Sequence, residues 1–218
     1  MNSLAIDTAT EVLALCASSG EAWASLSMRR GLQHSPALLP LIDGLLSRLG
    51  LAAADIELIA CSLGPGSFTG IRIGLATALG ISAGTGVPVV GVSTLDALAL
   101  PWAVRGGEVF PVIDARKGNI YTARYRGGAR VTEYLDLSPA ALRDLLADAD
   151  RPLLAGPDAA RIRTILGLAE DAVPCADLFD PSALLRLGTE KYTKEGADPA
   201  ALRPLYLRKS EAEIAGGA

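Results

Sequence analysis

The residues able to do chemistry are few, and they stand at the ends of apolar runs. Ile6-Asp7 closes one such run and Ile113-Asp114 another, each followed by a short turn and a further apolar stretch. Two carboxylates that end equivalent strands in two related halves look into one cleft if the halves face each other; two chance Ile-Asp pairs are the alternative. A second candidate is SLGPGSFTG, residues 62–70, set between a strand-like run and a long weakly polar one. Gly64, Gly66 and Gly70 are free to take positive φ, Pro65 stiffens the turn, and Ser67 or Thr69 can cap a following helix. Such a turn aims several backbone N–H groups at one spot and adds the positive end of a helix dipole. Gly64, Gly66, Ser67 and Thr69 therefore form a candidate anion-binding turn, against the simpler reading of a tight strand-to-helix connection. The Lys of a P-loop is missing, and so is the glycine spacing of a dinucleotide fold. His34 is the one histidine and lies far in sequence from any convincing nucleophile, so no nucleophile with its base is read.

The elements that must hold these residues follow from pattern. Residues 3–7, 12–18 and 22–28 read as strands, and Ser35-Pro36 opens a helix to about residue 49. A strand at 56–61, a helix at 68–84, a strand at 89–92 and a helix capped by Ser93 or Thr94 complete the order βββαβαβα. The second half repeats it. Strands are expected at 109–114, 120–125 and 129–135, a helix from Ser138-Pro139, a strand at 152–155, a helix at 157–166, a short strand near Val173 and a helix at 181–195. Two α/β domains are expected, 1–105 and a shorter 106–218, with the last residues able to pack back on the first.

The helix at 68–84 carries Arg72 as its only charge. Gly70, Gly74, Ala78 and Ser82 fall four apart on it, Ala76, Gly80 and Gly84 form a second small row, and Ile71, Leu75 and Leu79 a bulky one. A surface helix ordinarily has a polar face, and this one has none. Each glycine costs roughly 1 kcal/mol against alanine, which close contact must return. Burial within one core is one reading; the other makes Gly70, Gly74, Ala78 and Ser82 a partner interface, near which His34 also falls.

Composition narrows the function. The 218 residues include 20 Lys and Arg against 24 Asp and Glu, a net charge of −4, with a pI near 5.1. Strong nucleic-acid binding by this chain alone is disfavoured, because that affinity comes largely from cationic side chains. Residues 73–95 carry no charge, but GTGVP at 84–88 breaks them into a helix and a strand, so no membrane span is read. Met1 leads straight into a strand, which points to a cytoplasmic protein without a leader. Cys16, Cys61 and Cys175 are widely spaced in apolar settings and read as reduced. Arg203, Arg208 and Lys209 flank Tyr206, a basic and aromatic cluster that reads mainly as a solvated tail, with contact to RNA or to a partner's acidic surface as the alternative.

The duplicated βββαβαβα order with an Asp-Thr turn after the first strand resembles the actin, sugar-kinase and heat-shock ATPase superfamily, built from RNase H-like domains. More narrowly, LAIDTAT at 4–10, SLGPGSFTGIRIGLATALG at 62–80, PVVGVSTLDALA at 88–99, IDARKGNIY at 113–121 and PLYLRKS at 204–210 are similar to the TsaB (YeaZ) family. The superfamily resemblance implies that Asp7, Thr8 and Thr10 form one phosphate turn and Asp114 with Gly118 a second, gripping a nucleotide and a metal ion; the favoured alternative is a vestigial site in which Asp7 and Asp114 cap turns or hold the domains together. The family resemblance implies a non-catalytic subunit, cytoplasmic, needed for threonylcarbamoyladenosine next to the anticodon of tRNAs that read codons beginning with A. Its implied direct partner is TsaD, a catalytic paralogue. TsaE acts as an ATPase, TsaC or Sua5 makes the donor, and tRNA is reached indirectly. TsaD carries two metal-binding histidines where this sequence has Thr94 and Leu98, so no catalytic residue and no metal ligand is expected here. No cofactor is expected to bind tightly, with ATP or ADP entering only in the complex with TsaD and TsaE. The chain alone is expected to be a homodimer. An autonomous ATPase or kinase, and more weakly a peptidase acting on TsaD, are the alternatives.

Overall fold

Leu4, Ala5 and Ile6 are consecutive and none has any exposed surface, so the first strand is covered on both faces. In the computed structural model, which describes residues 1–29, 35–197 and 202–208, this strand is the centre of the first of two sheets. The elements are β1 (Ser3–Asp7), β2 (Val12–Ser19), β3 (Ala22–Arg29), α1 (Ser35–Ser47), β4 (Leu58–Ser62), α2 (Phe68–Thr85), β5 (Val89–Val92) and α3 (Thr94–Ala99). Then follow β6 (Glu108–Asp114), β7 (Ile120–Thr122), β8 (Tyr125–Arg126), β9 (Ala129–Arg130), β10 (Leu135–Leu137), α4 (Pro139–Ala147), β11 (Leu153–Ala155), α5 (Ala159–Leu166), β12 (Cys175–Ala176) and α6 (Pro181–Glu195). The first sheet runs β3-β2-β1-β4-β5, antiparallel across β3, β2 and β1 and parallel beyond. The second runs β10-β7-β6-β11-β12 with the same change of sense at β6, so the halves are duplicates as expected.

Two expected strands, 120–125 and 129–135, are each broken in two. Arg124 is the cause: its N–H donates to Thr132 Oγ1 at 3.0 Å instead of to the ladder, and its guanidinium reaches buried Glu108 at 2.6 Å. The strand expected at 56–61 begins two residues later, because a single 3-10 turn occupies Ala53–Asp55.

α1 and α2 cover one face of the first sheet, where Leu38, Ile42, Leu46 and Leu75 meet Leu4, Ile6, Leu13 and Leu15. The opposite face, Ala5, Cys16, Ala60 and Val92, is covered by Leu184 and Leu185 of α6. Thus the last helix of the second half serves the first sheet, and Gly188 makes the approach possible, since a Cβ there would overlap that of Ala60. Residues 202–208 return as well: Leu202 joins the first core, Leu205 N–H donates to the Leu63 carbonyl at 2.6 Å, and Arg208 grips Asp136 of the second sheet with two nitrogens. The division near residue 105 separates the two sheets, while the chain after β12 belongs largely with the first. Between the halves, Val12, Leu95, Leu98, Ile113 and Tyr121 form a further cluster, and Asp96 of α3 accepts hydrogen bonds from the hydroxyls of Tyr125 and Tyr134. Among the described residues no helix is long and apolar enough to cross a membrane.

Candidate functional site

The halves enclose a cavity of about 690 Å³ at the ends of β1 and β6, the size range of a small-molecule site. Thr10, Gly66, Ser67, Thr69 and Asp114 line it, whereas Asp7, Thr8, Gly64 and Gly118 do not. The sequence therefore located the cleft but not its floor. Asp7 has no exposed surface; its Oδ1 accepts the Ala9 N–H at 2.8 Å and its Oδ2 the Thr94 hydroxyl at 3.3 Å. Burial pushes its carboxyl up to about 6, against the pull of hydrogen bonds from Ala9, Ser62 and Thr94. Thr8 Oγ1 donates to the Gly70 carbonyl at 2.7 Å, and Thr10 Oγ1 accepts the Val12 N–H at 3.1 Å. The first candidate phosphate turn is thus spent on holding α2 and on closing itself.

Asp114 reaches the cavity but arrives neutralised. Its Oδ2 accepts from Arg161 at 2.8 Å and its Oδ1 from the Arg116 N–H at 2.8 Å. Burial alone would raise its carboxyl, but the Arg161 and Arg116 contacts overcome that and hold it below the usual range. Asp158 binds both the Asp114 N–H and Arg161, and Glu11 pairs across the cleft with Arg116 at 2.9 Å. Gly118 ends a turn in which Arg116, Lys117 and Gly118 all have positive φ, of 60°, 53° and 83°. Among the described residues no group of three or more His, Cys, Asp or Glu could hold a metal ion.

In the glycine-rich turn Gly64 takes a positive φ of 94° and Ser67 is the cap, its Oγ accepting the Gly70 N–H at 3.2 Å, whereas Gly70 lies within α2 and is not at positive φ. Two of the turn's donors are used within the chain, Gly70 on Ser67 and the Ser67 N–H on the Ala9 carbonyl at 2.7 Å. Phe68 and Thr69 supply the remaining N–H groups of the helix start.

The stripe on α2 needs the clearest correction. Gly70, Gly74 and Ala78 are buried in their own fold: a Cβ on Gly70 would overlap the Thr8 carbonyl, and one on Gly74 would lie 2.5 Å from Thr8 Oγ1. Ser82 is half-buried and donates to the Val87 carbonyl at 2.7 Å. The outward row is the other one, Ala76, Gly80 and Gly84, beside Leu79, and a Cβ on either glycine would meet nothing within 4 Å. Leu39 of α1 is also exposed. His34 lies outside the described residues. Sequence reasoning passed over Arg161, Arg116 and Glu11, which no local pattern singles out. It also read Tyr206 as tail, where the ring stacks on Phe68 at 4.7 Å and its hydroxyl accepts from Arg72 Nε at 3.1 Å.

Against known proteins, the chain is 34% identical over 191 residues to the tRNA threonylcarbamoyladenosine biosynthesis protein TsaB of Bacillus subtilis, covering 83% of this chain and 82% of that one. The chain belongs to the TsaB (YeaZ) family. TsaB of Escherichia coli is 39% identical over 129 residues, 58% of this chain and 55% of that protein. The solved structure of YeaZ from Pseudomonas aeruginosa superposes with a TM-score of 0.78 at 25% identity, covering 94% of this chain and 99% of that one. The family model for TsaD, tRNA N6-adenosine threonylcarbamoyltransferase, matches residues 30–147. TsaB membership also accords with the actin-like ATPase type of fold described above. In that matched span Thr94 and Leu98 are both buried, and the Thr94 hydroxyl is committed to Asp7.

Proposed function

We propose that this chain serves threonylcarbamoyladenosine synthesis on tRNA as a non-catalytic subunit, pairing with TsaD and holding its site in an active arrangement. The reading rests first on the family, whose members are named biosynthesis proteins for that modification. The observation that carries the pairing role is the outward face of α2, where Ala76, Gly80 and Gly84 leave room for close approach and Leu79 is 41% exposed. A water-facing helix with this composition gains by being covered. On this reading TsaE, TsaC or Sua5 and ATP act through the assembly, tRNA is held mainly by partners, and the chain alone covers the same face as a homodimer.

The test is reconstitution. TsaD, TsaE, the donor-making enzyme, ATP and tRNA should form the modified base only when this protein is added; full rate without it would end the proposal. Gly80→Leu places bulk on the outward row where nothing within 4 Å meets it, so the variant should fold, fail to pair with TsaD on size-exclusion chromatography, and lose most activity. Normal pairing by a folded Gly80→Leu would move the interface elsewhere.

A further inference from the structure

A ligand gripped by both halves would hold them together across the cavity, but the nucleotide and metal ion that the wider fold implies do not fit the residues present. Asp7 has no exposed surface, and Asp114 is already bound by Arg161 and Arg116. The chain itself supplies a tie, residues 202–208. One end of this segment is rooted in the first half: Leu202 packs into its core, the Leu205 N–H donates to the Leu63 carbonyl at 2.6 Å, and Tyr206 stacks on Phe68 while accepting from Arg72. The other end reaches the second half. Leu207 packs on the cluster that holds Ile113 and Tyr121, and Arg208 meets Asp136 of β10 through Nε at 3.0 Å and Nη2 at 2.7 Å. Asn119 donates to the same carboxylate at 2.9 Å and so fixes its orientation. Between these ends, residues 205–208 line one wall of the cavity.

The base and the rim of the cleft are joined by different forces. At the base Val12, Leu95 and Leu98 meet Ile113 and Tyr121 in an apolar cluster, whereas ion pairs bridge the rim, Glu11 with Arg116 and Arg208 with Asp136. Glu11 and Arg116 are 35% and 55% exposed, and such a pair contributes little in water. Arg208 and Asp136 are 28% and 20% exposed and joined through two nitrogens, which makes theirs the stronger bridge. We propose that residues 202–208 are a latch that sets the angle between the halves, anchored on the first and fastened to the second by the Arg208–Asp136 pair. Breaking that pair lets the halves open about the apolar base while each stays folded. The latch is independent of pairing with TsaD, and either can fail alone.

The distance between the halves of the full chain is the test. Spin labels on Thr69→Cys in α2 and Asp144→Cys in α4, both exposed positions, report it by double electron–electron resonance, with Cys175→Ala leaving only the buried Cys16 and Cys61. The parent protein should give one narrow distribution. Arg208→Gln should raise the population at longer distance about fivefold, the scale of one part-exposed ion pair, and Asp136→Asn should do the same from the other side of the contact. The double variant should open no further than either single one, because both remove one interaction. Arg208→Lys, which keeps the charge but not the fork, should fall between. Sodium chloride at about 1 M screens the pair without any substitution, so it should lengthen the distances in the parent more than in Arg208→Gln. Unchanged distances in folded Arg208→Gln and Asp136→Asn, additive opening in the double variant, or a parent distribution indifferent to salt overturns the proposal.

Discussion

Two carboxylates, Asp7 and Glu108, are fully buried, and they show how neighbours decide a charge. Burial would raise both. Glu108 is met by Arg124 and Arg126, whose hydrogen bonds outweigh burial and hold it below its usual range. Asp7 has only neutral donors, so burial wins and its carboxyl rises from 3.8 to about 6. A raised acid binds its proton more tightly folded than unfolded, so its stabilising form is the protonated one. Stability is then greatest below 3.8 and falls as pH rises through the folded value near 6. The shift corresponds to about 3 kcal/mol. Asp7→Asn removes the titration, so the stability of the variant relative to the wild type should climb by about that amount between pH 4 and pH 7 and then level off. Urea unfolding at four pH values reads this; a pH-independent difference would mean that Asp7 does not titrate there.

At the scale of the element, α2 carries glycines of opposite meaning. Gly70 faces the backbone of Thr8, so Gly70→Ala forces that turn away and should cost about 2 kcal/mol or more. Gly80 faces open space with helical φ, so Gly80→Ala should stabilise by about 0.5–1 kcal/mol. Melting temperatures moving in opposite directions would confirm the assignment of inner and outer rows; a loss at both would refute it. The ends of this helix were legible because local chemistry sets them, Ser67 at the start and Gly86 with φ of 78° at the end. Strands β1 and β5 were legible for a related reason, as short apolar runs bounded by turn residues. Which small row faces inward was not, since rows of similar size give no period to read; the turn at Thr8 and Ala9, distant in sequence, decides it. Equally, the break between β7 and β8 depends on Arg124 finding Glu108, 16 residues away, and the ion pairs around Asp114 depend on how the halves meet. Long-range charge pairing leaves no periodic trace.

At the scale of the molecule, the duplication suggests two independent folding units, and the packing argues against it. The first sheet has a complete strand order by Val92, yet one of its faces is covered by α6, which the chain supplies after the second sheet is finished. A chain ending at residue 105 would leave Ala5, Cys16, Ala60 and Val92 without that cover and would also lose the Leu205 strap on Leu63. Apolar area left in water forfeits about 25 cal/mol per Å², enough over a sheet face to consume the stability of a small domain. Fragment 1–105 should therefore bind a hydrophobic dye and melt without a sharp transition. The full chain should melt once, with the calorimetric and van't Hoff enthalpies in agreement, because unfolding either half strips the cover from the other. Two resolved transitions in calorimetry, or a cooperatively folded 1–105 fragment, would show that α6 is an accessory to the first sheet rather than part of its core.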